Sequence, residues 1–237
     1  MAKHSKWAKV KNYKGAADAK RAGVFTKHAR AVAVAARHGA DPSANFQLRM
    51  AMDAARADNV PNDNIERAIA RGSGADAGEQ MKEVLYEGFG PGGSALLIEA
   101  VTDNPNRTVQ NLRHIMSKLG GNLSGSVQWQ FERRGVLRLP ASAGSGDEFQ
   151  LALIDLGAAD VEADDEGTTV FTAPGDLERV RAALVAKGWT PEAAETAWIP
   201  KEQIALSGTD AESFVKLWDE LNGDDDVQKV ATNATWE

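Results

Sequence analysis

Near residue 75 the hydrophobic period of this chain changes. Upstream, Phe25, Ala29, Val32 and Ala36 recur at helical spacing; from residue 83, "EVLYEGF" and "SALLIEAVT" read as strands. Between the two regimes "GSGADAG", residues 72–78, has the composition of a flexible linker. A chain patterned in this way builds a helical domain first and sheet-containing layers after it.

The spacing predicts three helices within residues 16–72. The first stops at Gly39. Asp41-Pro42 offers an N-cap and a first-turn proline for the second, which ends near Asn59 ahead of Pro61. Asp63 with Glu66 three residues on reads as a capping box for the third, which ends at Gly72. The bundle is rich in Ala and offers few large side chains, so it is expected to be marginal alone.

Downstream, "GPGG" joins two strands as a hairpin. "NPNRTVQNLRHIMSKLGG" follows as a helix with Pro105 in its first turn and Val109, Leu112, Met116 and Leu119 facing a core. "SVQWQFE" reads as a further strand. "TDAESFVKLWDELNG", with a Thr209/Glu212 capping box, and "DVQKVATNA" read as a last helix and strand. Residues 133–203 interrupt this layer. They run strand (Gly135–Leu139), helix (Asp147–Leu156), hairpin around "DDEG", helix (Asp176–Lys187) and strand (Ala197–Ile199), the ferredoxin-like β-α-β-β-α-β order. The expected fold is α+β: a basic arm and three-helix domain at 1–75, an α+β domain at 79–132 plus 204–237, and an inserted ferredoxin-like domain at 133–203. Gly-rich joints and a loop insertion predict three separately moving bodies.

Few residues suggest catalysis. "GFGPGG" fits G-x-G-x-x-G through Gly88, Gly90 and Gly93, but a strand-like run follows where the dinucleotide fingerprint needs a helix. It reads as a hairpin turn. The chain has no Cys, so no thiolate metal site, and a reducing cytoplasm is the expected compartment. The four His (His4, His28, His38, His114) lack zinc spacing; His28 and His38 read as helix-surface residues and His114 as partly buried. "GDDDV", residues 223–227, lacks the alternating ligands of a calcium loop and reads as a solvated turn rather than a cation site. No enzymatic activity and no cofactor are expected. No apolar run approaches the roughly 18 residues that span a bilayer, so no membrane partner is expected either.

Charge is the informative feature. The 237-residue chain carries formal charge −7, yet residues 1–72 hold 14 Lys/Arg against 6 Asp/Glu, and the remainder 13 against 28. A basic head on an acidic body predicts a polyanion partner bound locally by the head. Residues 3–21, "KHSKWAKVKNYKGAADAKR", set six lysines and Arg21 against Asp18 alone. On a helix, Lys20, Lys27, Arg30 and Arg37 fall on one arc, opposite the apolar residues, and extend that arm as a cationic stripe. Lys6, Lys9, Lys11, Lys14, Lys20, Arg21, Lys27, Arg30 and Arg37 are therefore candidate phosphate contacts. Trp7 and Tyr13 are candidates for stacking on unpaired bases. The ligand reads as DNA or as rRNA/tRNA; the acidic domains are candidates for docking the ribosome or a protein.

"HSKWAKVK", "AKRAGVFTK", "NVPNDNIERAI", "YEGFGPGGSALLIEAVTDNPNRT", "GGNLSGSV" and "DDDVQKV" together resemble the YebC/PmpR family, whose mitochondrial relative is the translational activator of cytochrome c oxidase. The resemblance spans nearly the whole chain. It implies three domains, no enzymatic activity, and nucleic acid held against the N-terminal domain. It also implies one of two roles: DNA-binding transcriptional regulator, as the family is usually described, or ribosome-associated translation factor that helps with difficult sequences.

Overall fold

The computed structural model describes residues 21–74 and 81–236. The described residues form two compact units: 132–199, and 21–74 with 81–131 and 200–236, in which the helical bundle and the first sheet belong together.

Helices α1 (Arg21–Ala36), α2 (Phe46–Ala57) and α3 (Asn62–Ser73) enclose Val32, Leu48, Met52, Ala55, Ile65 and Ala68. Two expected caps are corrected. The second helix begins at Phe46, not after Asp41-Pro42, because Asn45 caps it. The Asn45 side chain accepts the Leu48 N–H at 3.1 Å and donates to the Ala35 and Gly39 carbonyls at 2.7 and 2.8 Å, tying α2 to the end of α1. Asp41 instead accepts the Ser43 N–H and hydroxyl in the preceding turn, which lowers its pKa. In α3, Pro61 occupies the cap position and no side chain caps there, so the Asp63/Glu66 box does not form. Gly72, expected in a linker, lies inside α3, where an added Cβ would stand 2.0 Å from the Ala33 carbonyl oxygen. Only glycine allows so close a crossing of α3 over α1.

Strands β1 (Lys82–Phe89) and β2 (Ala95–Thr102) form the expected hairpin. The turn between them places Gly92 and Gly93 at φ 65° and 75°, the left-handed region that glycine tolerates. Asn104 caps α4 (Pro105–Lys118) by accepting the Arg107 N–H, and Thr108, Leu112, Ile115 and Met116 are buried. Val109 and Leu119 are half-buried, and His114, expected to be partly buried, is exposed.

"SVQWQFE" is not a separate strand. Residues 128–130 form a 3₁₀ turn because Glu87 Oε2 gathers the Val127 and Gln128 N–H groups at 2.6 and 2.8 Å and the Ser126 hydroxyl at 3.1 Å. Burial pushes the Glu87 carboxyl up, but these donors outweigh it and hold the pKa below the usual value. Extended structure starts at Phe131 and continues unbroken to Pro140, so the two strands expected here are one, β3.

The inserted unit then runs α5 (Asp147–Asp155), β4 (Asp160–Asp164), β5 (Gly167–Thr172), α6 (Leu177–Ala186) and β6 (Ala193–Pro200). Its sheet order, β4-β5-β3-β6, is that of the ferredoxin-like split unit. Leu137, Leu139 and Val170 from the sheet are buried, as are Phe149 and Leu153 of α5 and Leu177, Val180 and Leu184 of α6.

After β7 (Ile204–Ala205), helix α7 (Gly208–Gly223) buries Phe214, Leu217, Trp218 and Leu221. It starts at Gly208 behind Ser207 with no side-chain cap bond, so the Thr209/Glu212 box does not form. Strand β8 (Val227–Thr232) adds antiparallel to β2, giving order β1-β2-β8, and β9 (Ala234–Thr235) pairs parallel with β7. The central strand β2 is covered on both faces: Ala95, Leu96, Leu97 and Ile98 are fully buried. Among the described residues no helix is long and apolar enough to cross a membrane.

Candidate nucleic-acid interface

Lys6, Trp7, Lys9, Lys11, Tyr13, Lys14 and Lys20, and the side chain of Arg21, lie outside the described residues. Lys27, Arg30 and Arg37 sit on α1, and the structure brings all three to their own chain. Lys27 Nζ donates to the Asn222 carbonyl at the end of α7. Arg30 Nη1 donates to the Asp225 carbonyl and, at 2.7 Å, to Asp226 Oδ1. Arg37 Nη1 donates to the Met81 carbonyl at 2.8 Å. The arc read as an outward cationic stripe therefore includes the hooks by which α1 is held. Val32 to Ala36 are buried in succession, as on a helix covered on more than one side.

The receiving loop is "GDDDV". It is not the solvated turn expected: Asp226 is 7% exposed. Asp224 Oδ1 accepts the Asp226 N–H at 2.8 Å, and its other oxygen accepts from Asn111 of α4. Asp226 Oδ2 accepts the Thr108 hydroxyl at 2.7 Å and Arg107 Nη2 at 3.1 Å. The Asp226 carboxylate thus joins α1, α4 and the turn before β8. Burial pushes the carboxyl up, but the bonds from Thr108 and Arg107 and the charges of Arg30 and Arg107 prevail, holding its pKa below the usual value. Arg107, bonded to Asp226 and Asp103, is correspondingly raised. The Tyr86 hydroxyl is raised too, by burial and then by the Asp226 charge.

Among the described residues no three His, Asp or Glu are grouped to hold a metal ion. His28 Nε2 contacts Asp58 Oδ2 at 2.7 Å and is half-buried rather than on an open surface; His38 is exposed. Basic residues outside the candidate set lie on the bundle's other helices. Arg56 on α2 and Arg67 and Arg71 on α3 are exposed. Arg67 and Arg71, four residues apart, share a helix face, a spacing visible in the sequence.

The relatives are specific. Residues 5–75 match the family description "TACO1/YebC protein N-terminal domain", and residues 81–234 match "TACO1/YebC second and third domain". A protein of Kosmotoga olearia is 47% identical over 98% of this chain and 94% of its own length. One of Deinococcus radiodurans is 45% identical over 99% and 97%. Each carries the name "Probable transcriptional regulatory protein". The crystal structure of a conserved hypothetical protein from Aquifex aeolicus superposes with TM-score 0.86 at 39% identity, covering 98% of both chains. Matched in sequence through bundle, layer and insertion, and in shape over nearly its whole length, the chain belongs to the TACO1/YebC family.

Proposed function

We propose that the chain is a non-enzymatic, cytoplasmic, nucleic-acid-binding regulator of gene expression, acting as a DNA-binding transcriptional regulator. The observation that carries this reading is the division of charge, with 14 Lys/Arg against 6 Asp/Glu in residues 1–72 of a chain otherwise strongly acidic. The names of its relatives agree. Because Lys27, Arg30 and Arg37 are engaged by the body, phosphate neutralisation rests chiefly on Lys6, Lys9, Lys11, Lys14, Lys20 and Arg21, with Arg56, Arg67 and Arg71 alongside. The acidic remainder repels the same polymer, so binding stays local.

A second reading, a translation factor bound to ribosomal or transfer RNA, is favoured by Trp7 and Tyr13 among the lysines. Flat rings beside phosphate-binding cations suit unpaired bases better than a stacked duplex.

Replacing Lys6, Lys9, Lys11 and Lys14 by Ala is expected to weaken binding at least about tenfold. The slope of log K against log salt should flatten by about 0.7–0.9 for each phosphate that is no longer neutralised. Affinity unchanged in a titration at moderate salt would remove the arm from the interface. Ribosome co-sedimentation beside a genomic DNA pull-down, at matched salt, separates the two readings.

A further inference from the structure

Helices α5 and α6 of the inserted unit each bury one face and leave the other to solvent. Phe149 and Leu153 of α5, and Leu177, Val180 and Leu184 of α6, are buried. On the outer side Leu151 is 61%, Ile154 51% and Val185 45% exposed. Among the described residues only Trp129 joins these three as an exposed large hydrophobic side chain. Scattered singly, such residues are ordinary; gathered on one surface they mark a contact.

Two contacts show how the helices run. The Phe149 ring, near the start of α5, meets Trp189, just past the end of α6, edge-on with centroids 4.9 Å apart. An added Cβ at Gly157, just past the end of α5, would stand 2.9 Å from both Nη atoms of Arg179, near the start of α6. The helices are therefore antiparallel, with Leu151 level with Val185 and Ala186, and Ile154 level with Ala182. All five residues share the outer side of the pair.

The two helices differ in charge. α5 carries Asp147, Glu148 and Asp155 and no Lys or Arg, whereas residues 177–187 hold Arg179, Arg181 and Lys187 against Glu178 alone. Arg179 pairs with Asp176 at 3.0 Å and Arg181 with Glu178 at 2.9 Å. Pairs so open to water are weak, and a guanidinium has donors to spare for a second carboxylate.

A surface that is acidic along one helix, basic along the other and apolar between them is complementary to itself. A two-fold axis parallel to the helices and midway between them lays α5 of one copy on α6 of another without changing their levels. Leu151 then meets Val185 of the second copy, Glu148 meets its Lys187 and Asp155 its Arg179, and every contact occurs twice. We propose that the outer face of α5 and α6 is a homodimer interface. Helices of 9 and 10 residues side by side make a face of about 15 by 20 Å. That places the interface below about 1,200 Å² of total burial, where transient complexes sit. The dimer is weak and depends on concentration.

Sedimentation velocity of the full-length protein without nucleic acid, from micromolar to near-millimolar concentration, tests this. Monomer should pass into dimer as concentration rises. Leu151→Gln with Val185→Gln should weaken the dimer at least about tenfold. Both side chains are exposed, so the melting temperature should hold. Glu148→Lys and Lys187→Glu should each weaken it several-fold, and the two together should restore it. Glu148→Lys also lowers the net charge from −7 to −5, which on general repulsion alone would tighten the dimer. A protein monomeric throughout, a dimer indifferent to Leu151→Gln with Val185→Gln, or a double reversal no better than the single ones would overturn the proposal.

Discussion

Asp226→Ala is expected to cost the protein about 3 kcal/mol, the low end for removing one partner of a buried ion pair. The substitution leaves Arg30, whose side chain is 18% exposed, with the Asp225 carbonyl but no carboxylate, and removes one acceptor each from Thr108 and Arg107. Because Arg30 belongs to the bundle and Arg107 and Thr108 to α4, the loss should also loosen the bundle from the first sheet. Denaturant unfolding at neutral pH would show a lowered midpoint and a broadened or split transition; a loss below about 1 kcal/mol would place Asp226 among ordinary surface ion pairs. The pH dependence has a definite sign. The folded carboxyl titrates below the usual value, so on acidification the unfolded chain takes up its proton first. The contribution is complete above about pH 4 and is lost as pH falls further, through the folded-state pKa. In Asp226→Asn that part of the acid slope should vanish.

Gly72→Ala sets two effects against each other. In a free helix the change would gain about 1 kcal/mol of propensity. In α3 the new methyl carbon would stand 2.0 Å from the Ala33 oxygen and 2.8 and 2.9 Å from its carbonyl and α-carbons. These are backbone atoms of a buried helix and cannot swing aside. The helices must separate, opening the packing around Val32, Ile65 and Ala68. Overpacking of this kind costs about 1–3 kcal/mol, and a clash with backbone lies at the upper end, so after about 1 kcal/mol of propensity is returned the expected outcome is a net loss of about 1–2 kcal/mol. A raised melting temperature would show that α3 lifts away from α1 at little cost.

Most of the architecture is written locally. The β1–β2 hairpin, the helix opened by Pro105, and the strand-helix order of the insertion follow from period and turn residues. What failed was what depends on a distant partner. Asp41, Asp63 and Thr209 satisfy cap preferences, but where a helix starts is decided by which neighbour its side chain can reach. Asn45 wins because it also reaches Ala35 and Gly39. Alternation through Val127, Trp129 and Phe131 suggests a strand, yet Glu87, some forty residues earlier, curls that stretch into a turn. Arg30 shows the limit most clearly. The cationic arc on α1 is plain in the sequence, but its partner lies 196 residues away, and no local pattern announces that the charge is already engaged.

The order of the first sheet has a consequence for how the chain is made. Strand β2 is central, and Leu96 to Ala100 pair on one side with β8, whose residues 227–232 follow the whole insertion. During synthesis at roughly 5–20 residues per second, the β2 edge therefore waits on the order of ten seconds for its neighbour. Through that interval the nascent protein presents "ALLI" with open hydrogen-bonding groups, a template for pairing with other chains on the same polysome. The inserted unit, whose sheet closes within residues 131–200, can fold during the wait. Slow stretches of message between the codons for residues 102 and 227 would lengthen the exposure and raise aggregation without changing a single amino acid.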